Sequence, residues 1–192
     1  MIKEGFSKFY WGFFFILISF RIQGLDIIPD IVGFILIADG VGKLLSESDY
    51  FQTAQKYTLP MILLSIFSIY EPPVEQAGIN FGFLGPMGVL ISIASLVLTL
   101  LLAYNIFMGI KEMAEQRNKT AIAAEAEQRW NQFLWLNLAY ILLFVLIFVP
   151  PLAILMIIGL LIASIALTIA IMRLMKQCEE ELLPSDTQFR DA

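Results

Sequence analysis

The chain has 192 residues, of which 59% are hydrophobic and only 15% are charged, and its mean hydropathy is +0.80. A soluble domain carries about 25% charged residues, so the composition predicts an integral membrane protein. The formal net charge of −5 argues against a nucleic-acid partner, because nucleic-acid binding needs a basic face.

Histidine is missing from the sequence, and cysteine occurs once, at Cys178. The lack of histidine removes Ser–His catalytic pairs and histidine metal ligands, and a single cysteine cannot form an intrachain disulfide. Three glutamates follow Cys178 and are expected to disfavour its thiolate form. We therefore predict an inert cysteine, no metal site, no cofactor and no catalytic residues.

Apolar segments in chain order predict an all-α fold with six transmembrane helices, arranged as three hairpins in one domain over residues 1–178. The predicted spans are about 9–25, 30–45, 58–71, 86–110, 132–149 and 151–174. Pro150 and Pro151 separate the last two spans, since one continuous helix would be about twice as long as the bilayer core. Residues 179–192 are expected to form a flexible cytoplasmic tail.

Lysine and arginine fix the predicted orientation. With six crossings, every one of the 12 lysines and arginines except Arg21 falls on the same side of the membrane. The positive-inside rule then predicts a multi-pass cell-membrane protein with both termini in the cytoplasm. The inner connection at residues 111–132 is rich in Ala, Glu, Gln and Lys and is predicted to be helical, as a continuation of the fourth span.

The turn between the first two spans contains the main candidate site. Their apolar arms cover only about 18–23 Å as helices, which is short of the roughly 30 Å bilayer core. Either the bilayer thins here or the turn lies below the outer surface and forms an outward-facing polar depression. Ligand-binding or ion-pair candidates from this turn and the next outer turn are Arg21, Gln23, Asp26, Asp30, Glu71 and Glu75.

If the turn lies below the outer surface, Arg21 is expected to form an ion pair with Asp26 or Asp30, because an unpaired charge at membrane depth is costly. In the alternative interpretation these groups lie among the lipid headgroups, and Asp30 caps the second helix. Asp26 and Asp30 would also serve as an acid–base pair in an enzyme.

Three further polar residues, Asp39, Asn105 and Asn137, fall within predicted spans. Asp39 can reach Lys43 one helical turn away. The asparagines are expected to make interhelical hydrogen bonds, or alternatively to line a transport path.

Small residues recur at helical spacing in three spans and predict close helix–helix contacts. The second span has Ala38 and Gly42, and the fourth and sixth are predicted to pack on each other. Their small faces are Ser92, Ser95, Thr99 and Ala103 in the fourth span, and Gly159, Ala163, Ala166 and Ala170 in the sixth.

The segment Arg21 to Ile37, RIQGLDIIPDIVGFILI, resembles a segment of small uncharacterised multi-spanning membrane proteins of Gram-positive spore-forming bacteria. This resemblance implies a membrane location and no particular activity. In size and topology the chain is also similar to the substrate-binding components of energy-coupling-factor vitamin transporters. Their small-residue partner-docking motif has no match in the first span.

Three functions follow as alternatives. The first is a non-catalytic protein that captures or transports a small solute or cation in the outward depression. The second is an accessory or sensory protein that acts through helix–helix contacts with a membrane partner or another copy of itself. The third is an outer-leaflet lipid-modifying enzyme that uses Asp26 and Asp30. The lipid bilayer is a partner in all three.

Overall fold

The structure is a computed structural model that describes residues 1–17, 21–22, 25–26, 30–67, 86–146 and 148–183. Within these ranges six helices follow one another: α1 (Ile2–Leu17), α2 (Asp30–Lys43), α3 (Asp49–Phe67), α4 (Pro86–Gln116), α5 (Thr120–Leu146) and α6 (Pro150–Glu181). A short antiparallel pairing of β1 (Arg21–Ile22) with β2 (Leu25–Asp26) lies between α1 and α2. The predicted all-α class is confirmed.

Helix ends follow local sequence chemistry. α4 stops before Asn118, whose φ of 58° lies in the left-handed region that asparagine tolerates at helix C-termini. The chain turns at residues 117–119 and continues directly as α5, so nearly all of the predicted inner connection at 111–132 is helical. α6 begins at Pro150 and Pro151. Proline is tolerated there because N–H groups in the first turn of a helix have no hydrogen-bond partner within the helix. The helix extends through Glu179 to Glu181.

The six helices form a closed ring in which each helix packs on the next one in sequence, and α6 packs on α1. Neighbouring helices run antiparallel, as the contact between Lys3 of α1 and Glu179 of α6 illustrates. The main neighbours of α4 are α3 and α5, whereas those of α6 are α5 and α1. The predicted packing of α4 on α6 is therefore not what organises the bundle.

One end of the bundle gathers the starts of α1, α3 and α5 and the ends of α2, α4 and α6. We call this end the charged end. Every ion pair among the described side chains lies in the half of the bundle nearest to it. The pairs connect α1 to α2 and α6, α4 to α5, and the α4–α5 turn to Glu47 and Glu181.

The hydrophobic core lies in this same half. Its largest fully buried side chains are aromatic, namely Phe6, Phe9, Phe51 and Phe107. Toward the other end, residues 88–101 of α4 and 134–143 of α5 include no buried position, and residues 150–166 of α6 include only Ala153 and Leu160. Aliphatic side chains in that half face outward around most of these three helices.

Two helices, Gly88–Gln116 and Pro150–Glu181, are long and apolar enough to cross a membrane by length and composition, with mean hydropathies of 2.3 and 2.9. Only 22% of each apolar window is buried. A helix that is apolar on all sides and yet exposed differs from the core helix of a soluble protein. Among the described residues these two of the six predicted spans meet this criterion.

Candidate functional site

The predicted outward depression falls largely outside the described residues. Gln23, Glu71 and Glu75 lie outside them, and Arg21, Asp26 and Asp30 are described by their backbone alone. The register of β1 and β2 sets Arg21 directly opposite Asp26, and Asp30 is the first residue of α2. The ion pair and the depression remain predictions.

Asp39 lies near the charged end. Its carboxylate is 3.9 Å from the Lys43 ammonium, as the i+4 spacing predicted, and 3.1 Å from the ammonium of Lys8 in α1. Lys43 also approaches the Glu4 carboxylate at 3.1 Å, and this hydrogen bond lowers the pKa of Glu4. Asp39 therefore belongs to a partly exposed ionic cluster between α1 and α2.

The asparagines make local hydrogen bonds. Asn105 donates to the Leu101 carbonyl at 2.7 Å, and Asn137 donates to the Phe133 carbonyl at 2.8 Å. In each case the acceptor is one turn back in the same helix. The interhelical bonds expected of these two side-chain amides are therefore replaced by bonds to their own helix backbone.

Between α1, α2, α4 and α5 lies an apolar cavity of about 20 Å³. Phe13, Phe34, Ile106 and Phe133 are among its lining residues. This volume is close to that of a single water-sized sphere. This cavity has no room for a solute larger than water.

α1 and α2 approach each other closely through four glycines. A Cβ added at Gly33 would lie 2.9 Å from the Gly12 carbonyl oxygen, and one added at Gly40 would lie 2.9 Å from the Gly5 carbonyl oxygen. The predicted contact through Ala38 and Gly42 is wrong, because a Cβ at Gly42 would meet no atom within 4 Å. The contact is made instead by two glycines spaced by two helical turns in each helix, a pattern that was not predicted from the sequence.

An open groove runs between α5 and α6 and has a volume of about 1010 Å³. We call it the α5–α6 groove. Its α6 wall includes the small residues Ala163, Ala166 and Ala170, which the sequence predicted as a packing face. That face borders an open surface groove, and Gly159, one turn further along α6, has open space around it.

The α5 wall is bulkier and more polar. Trp135 lines the groove with 70% of its surface exposed, and Gln128, Asn131 and Gln132 carry amides into the lining. Trp135 was not singled out by sequence analysis. Its exposure places it on the surface of the bundle and not in the core.

The charged residues of the groove are neutralised within the chain. The Glu127 carboxylate is 2.7 Å from the Lys111 ammonium, and the Arg129 guanidinium is 2.7 Å from the Glu125 carboxylate. Arg129 also donates to the Gln132 side chain at 2.8 Å. The groove therefore presents alanines and leucines, one exposed indole, uncharged amides and the ion-paired side chains of Glu127 and Arg129.

Within the described ranges no group of three potential metal ligands is found. Cys178 is fully buried, so its thiol has no access to a substrate. No family model, curated protein or solved structure matches this chain. The α5–α6 groove is thus the best-defined candidate site in the described part of the molecule.

Proposed function

We propose that this chain is a non-catalytic accessory protein of the cell membrane that binds a transmembrane helix of a partner along the α5–α6 groove. The observation that carries this proposal is a groove of about 1010 Å³ whose small-residue wall lies beside the exposed Trp135. Small residues let helix backbones approach closely, which is how helices associate in a membrane.

Exposed aliphatic side chains support the membrane assignment. Leu63, Leu90, Leu155 and Ile162 are each more than half exposed, and an apolar surface of this extent is unfavourable in water. Bilayer lipid would cover it. By the positive-inside rule, the charged end then lies at the cytoplasmic surface. The six helices are in that case six membrane spans, with both termini in the cytoplasm.

Cysteine accessibility tests this topology. A cysteine introduced at Gly78 is expected to react with an impermeant maleimide in intact cells, and one introduced at Asn118 is expected to react only after the cells are permeabilised. The wild-type chain, with Cys178 buried, provides the background. Protection of position 78 in intact cells would refute the assigned orientation.

Partner binding is tested by a photoreactive amino acid at Ala139, a lining residue of the groove. Irradiation of intact membranes should give a discrete protein adduct, which Ala166→Leu should remove by filling the groove. The matched control places the photoreactive residue at Leu63, on the lipid-facing side of α3, where no such adduct is expected. Adducts with lipid alone at position 139 would refute the proposal.

The pairing of β1 with β2 favours a second candidate, namely capture of a small solute or cation at the outer turn. It brings Arg21 and Asp26 together in register at the end opposite the charged end. Thermal unfolding of the purified chain in potassium, calcium and magnesium chloride tests this function. Stabilisation by one cation that Asp26→Asn removes would support it, and equal unfolding temperatures in all salts would exclude these cations.

A further inference from the structure

The lysines and arginines near the charged end fall into two groups. Those between neighbouring helices or in the α4–α5 turn are ion-paired with carboxylates of the chain, and Arg129 is paired within α5. Three others, Lys56, Arg173 and Lys176, are exposed and make no ion pair with a described side chain. Their counter-ions therefore do not come from the described part of the chain.

Two of the unpaired cations continue an exposed aliphatic stripe along α6. The stripe consists of isoleucines at three- and four-residue steps that are each 47–63% exposed, namely Ile158, Ile162, Ile165 and Ile169. Arg173 follows Ile169 by four residues and Lys176 follows Arg173 by three, so both cations lie on the same face of the helix as the isoleucines. None of these residues lines the α5–α6 groove.

The depth of Arg173 and Lys176 matches the headgroup region of a bilayer. The Glu179 carboxylate lies 3.9 Å from the Lys3 ammonium, close to the charged end. From Glu179 toward the apolar half, Lys176 lies about 4.5 Å and Arg173 about 9 Å along α6, and Ile169 lies about 6 Å beyond Arg173. The headgroup region of one leaflet is about 5–8 Å thick. Both cations thus lie between the ion-paired residues and the aliphatic surface.

Neighbouring carboxylates leave the two cations available. Glu179 approaches Lys3, and Glu181 is bonded to Lys119 and Gln177. Glu180, one turn nearer the charged end than Lys176, is exposed and makes no ion pair with it. An outside anion can therefore reach Arg173 and Lys176 from the lipid-facing side of α6.

We infer that Arg173 and Lys176 together bind the headgroup phosphate of an anionic phospholipid in the cytoplasmic leaflet, an inference that rests on the membrane location in the proposed function. A guanidinium donates two parallel N–H bonds to phosphate oxygens, and the Lys176 ammonium adds a second positive charge one helical turn away. The acyl chains of the lipid lie along the isoleucine stripe. A lipid with a net negative charge is favoured over a zwitterionic one, whose own ammonium group is repelled by the two cations.

The chain supplies a matched control in α3. Lys56 is also exposed and unpaired, and it also begins an exposed aliphatic stripe, formed by Leu59, Leu63 and Ile66. The residues one turn away from Lys56 carry no positive charge. Lys56 therefore has the same kind of surroundings as the α6 site but lacks the second cation.

Native mass spectrometry of the purified full chain, titrated with phosphatidylglycerol or with phosphatidylcholine of the same acyl chains, tests the site. The chain should retain one phosphatidylglycerol with an affinity about tenfold or more above that for phosphatidylcholine. The double variant Arg173→Gln/Lys176→Gln should lose this preference, whereas Lys56→Gln should keep it. The charge-conserving variant Arg173→Lys/Lys176→Arg should also keep a preference, which a purely packing role of these side chains would not predict.

Two further measurements complete the test. Excess inorganic phosphate should not displace the lipid, because the acyl chains contribute to binding; displacement would show that the site takes free phosphate and would overturn the lipid assignment. Protection of the buried Cys178 from maleimide verifies that each variant is folded.

The outcomes separate this inference from the proposed function. Equal affinity for the two lipids, or a preference that survives in Arg173→Gln/Lys176→Gln, overturns the lipid site and leaves partner binding at the α5–α6 groove untouched. Selective retention of phosphatidylglycerol without any protein adduct at position 139 supports the lipid site while the groove proposal fails. Recovery of the chain in the soluble fraction of lysed cells would overturn both.

Discussion

Replacement of Gly33 by alanine probes the contact between α1 and α2. The added methyl carbon would lie 2.5 Å from Ile16 Cγ1 and 2.9 Å from the Gly12 carbonyl oxygen. The isoleucine side chain can rotate away, but the carbonyl belongs to the rigid backbone of α1. The two helices must therefore separate to accept Gly33→Ala.

The expected cost combines two opposing terms. Overpacking destabilises a folded protein by about 1–3 kcal/mol, whereas alanine is favoured over glycine within a helix by about 1 kcal/mol. Gly42→Ala, in the same helix, is the matched control because its methyl group enters open space. We expect Gly33→Ala to be less stable than Gly42→Ala by about 1–3 kcal/mol.

Unfolding in mixed detergent micelles with increasing SDS measures this difference, with maleimide labelling of the buried Cys178 as the readout of opening. A double-mutant cycle sharpens the test. Gly12→Ala and Gly33→Ala force the same separation of α1 from α2. The loss of unfolding free energy in the double mutant should therefore be smaller than the sum of the losses in the two single mutants. Equal stability of Gly33→Ala and Gly42→Ala would refute the close contact.

Three further predictions concern the charged half of the bundle. Cys178 should resist maleimide in the folded protein and react fully in SDS, since its side chain is buried; rapid labelling of the native chain would contradict this packing. Phe51→Ala should reduce the free energy of unfolding by about 3–5 kcal/mol, whereas Leu63→Ala, at an exposed site, should change it little. Because Lys43 lowers the pKa of Glu4, their contact stabilises the fold above the unfolded pKa of about 4.3 and is lost as pH falls through the lower folded pKa. In an acid titration Glu4→Gln should remove this part of the pH dependence, and an unchanged titration would contradict the pairing.

Local features of the sequence predicted local features of the structure well. The pair Pro150-Pro151 marked the start of α6, because proline is tolerated at the first turn of a helix and disrupts its interior. The alanine- and glutamate-rich segment after Lys111 was predicted to continue the fourth helix; it is helical, but a turn at residues 117–119 divides it between α4 and α5. The i+4 spacing of Asp39 and Lys43 likewise gave a contact that depends on one helix alone.

Contacts between helices were predicted less well, because periodicity shows which residues share a face and not which helix that face meets. Ala38 and Gly42 share a face of α2, yet Gly33 and Gly40 make the close approach. The small face around Ala166 was assigned to α4, but it borders an open groove beside α5.

By itself the sequence determined the helical class, the break at Pro150-Pro151 and the separation of charged from apolar segments, since each depends on residues close together in the chain. The tertiary structure alone decided that the helices close into a ring, that aromatic side chains fill its charged half, and that Trp135 and Ala163 border one groove. These features depend on the rotation and distance of each helix relative to its neighbours, which are set by the fit of side chains far apart in sequence.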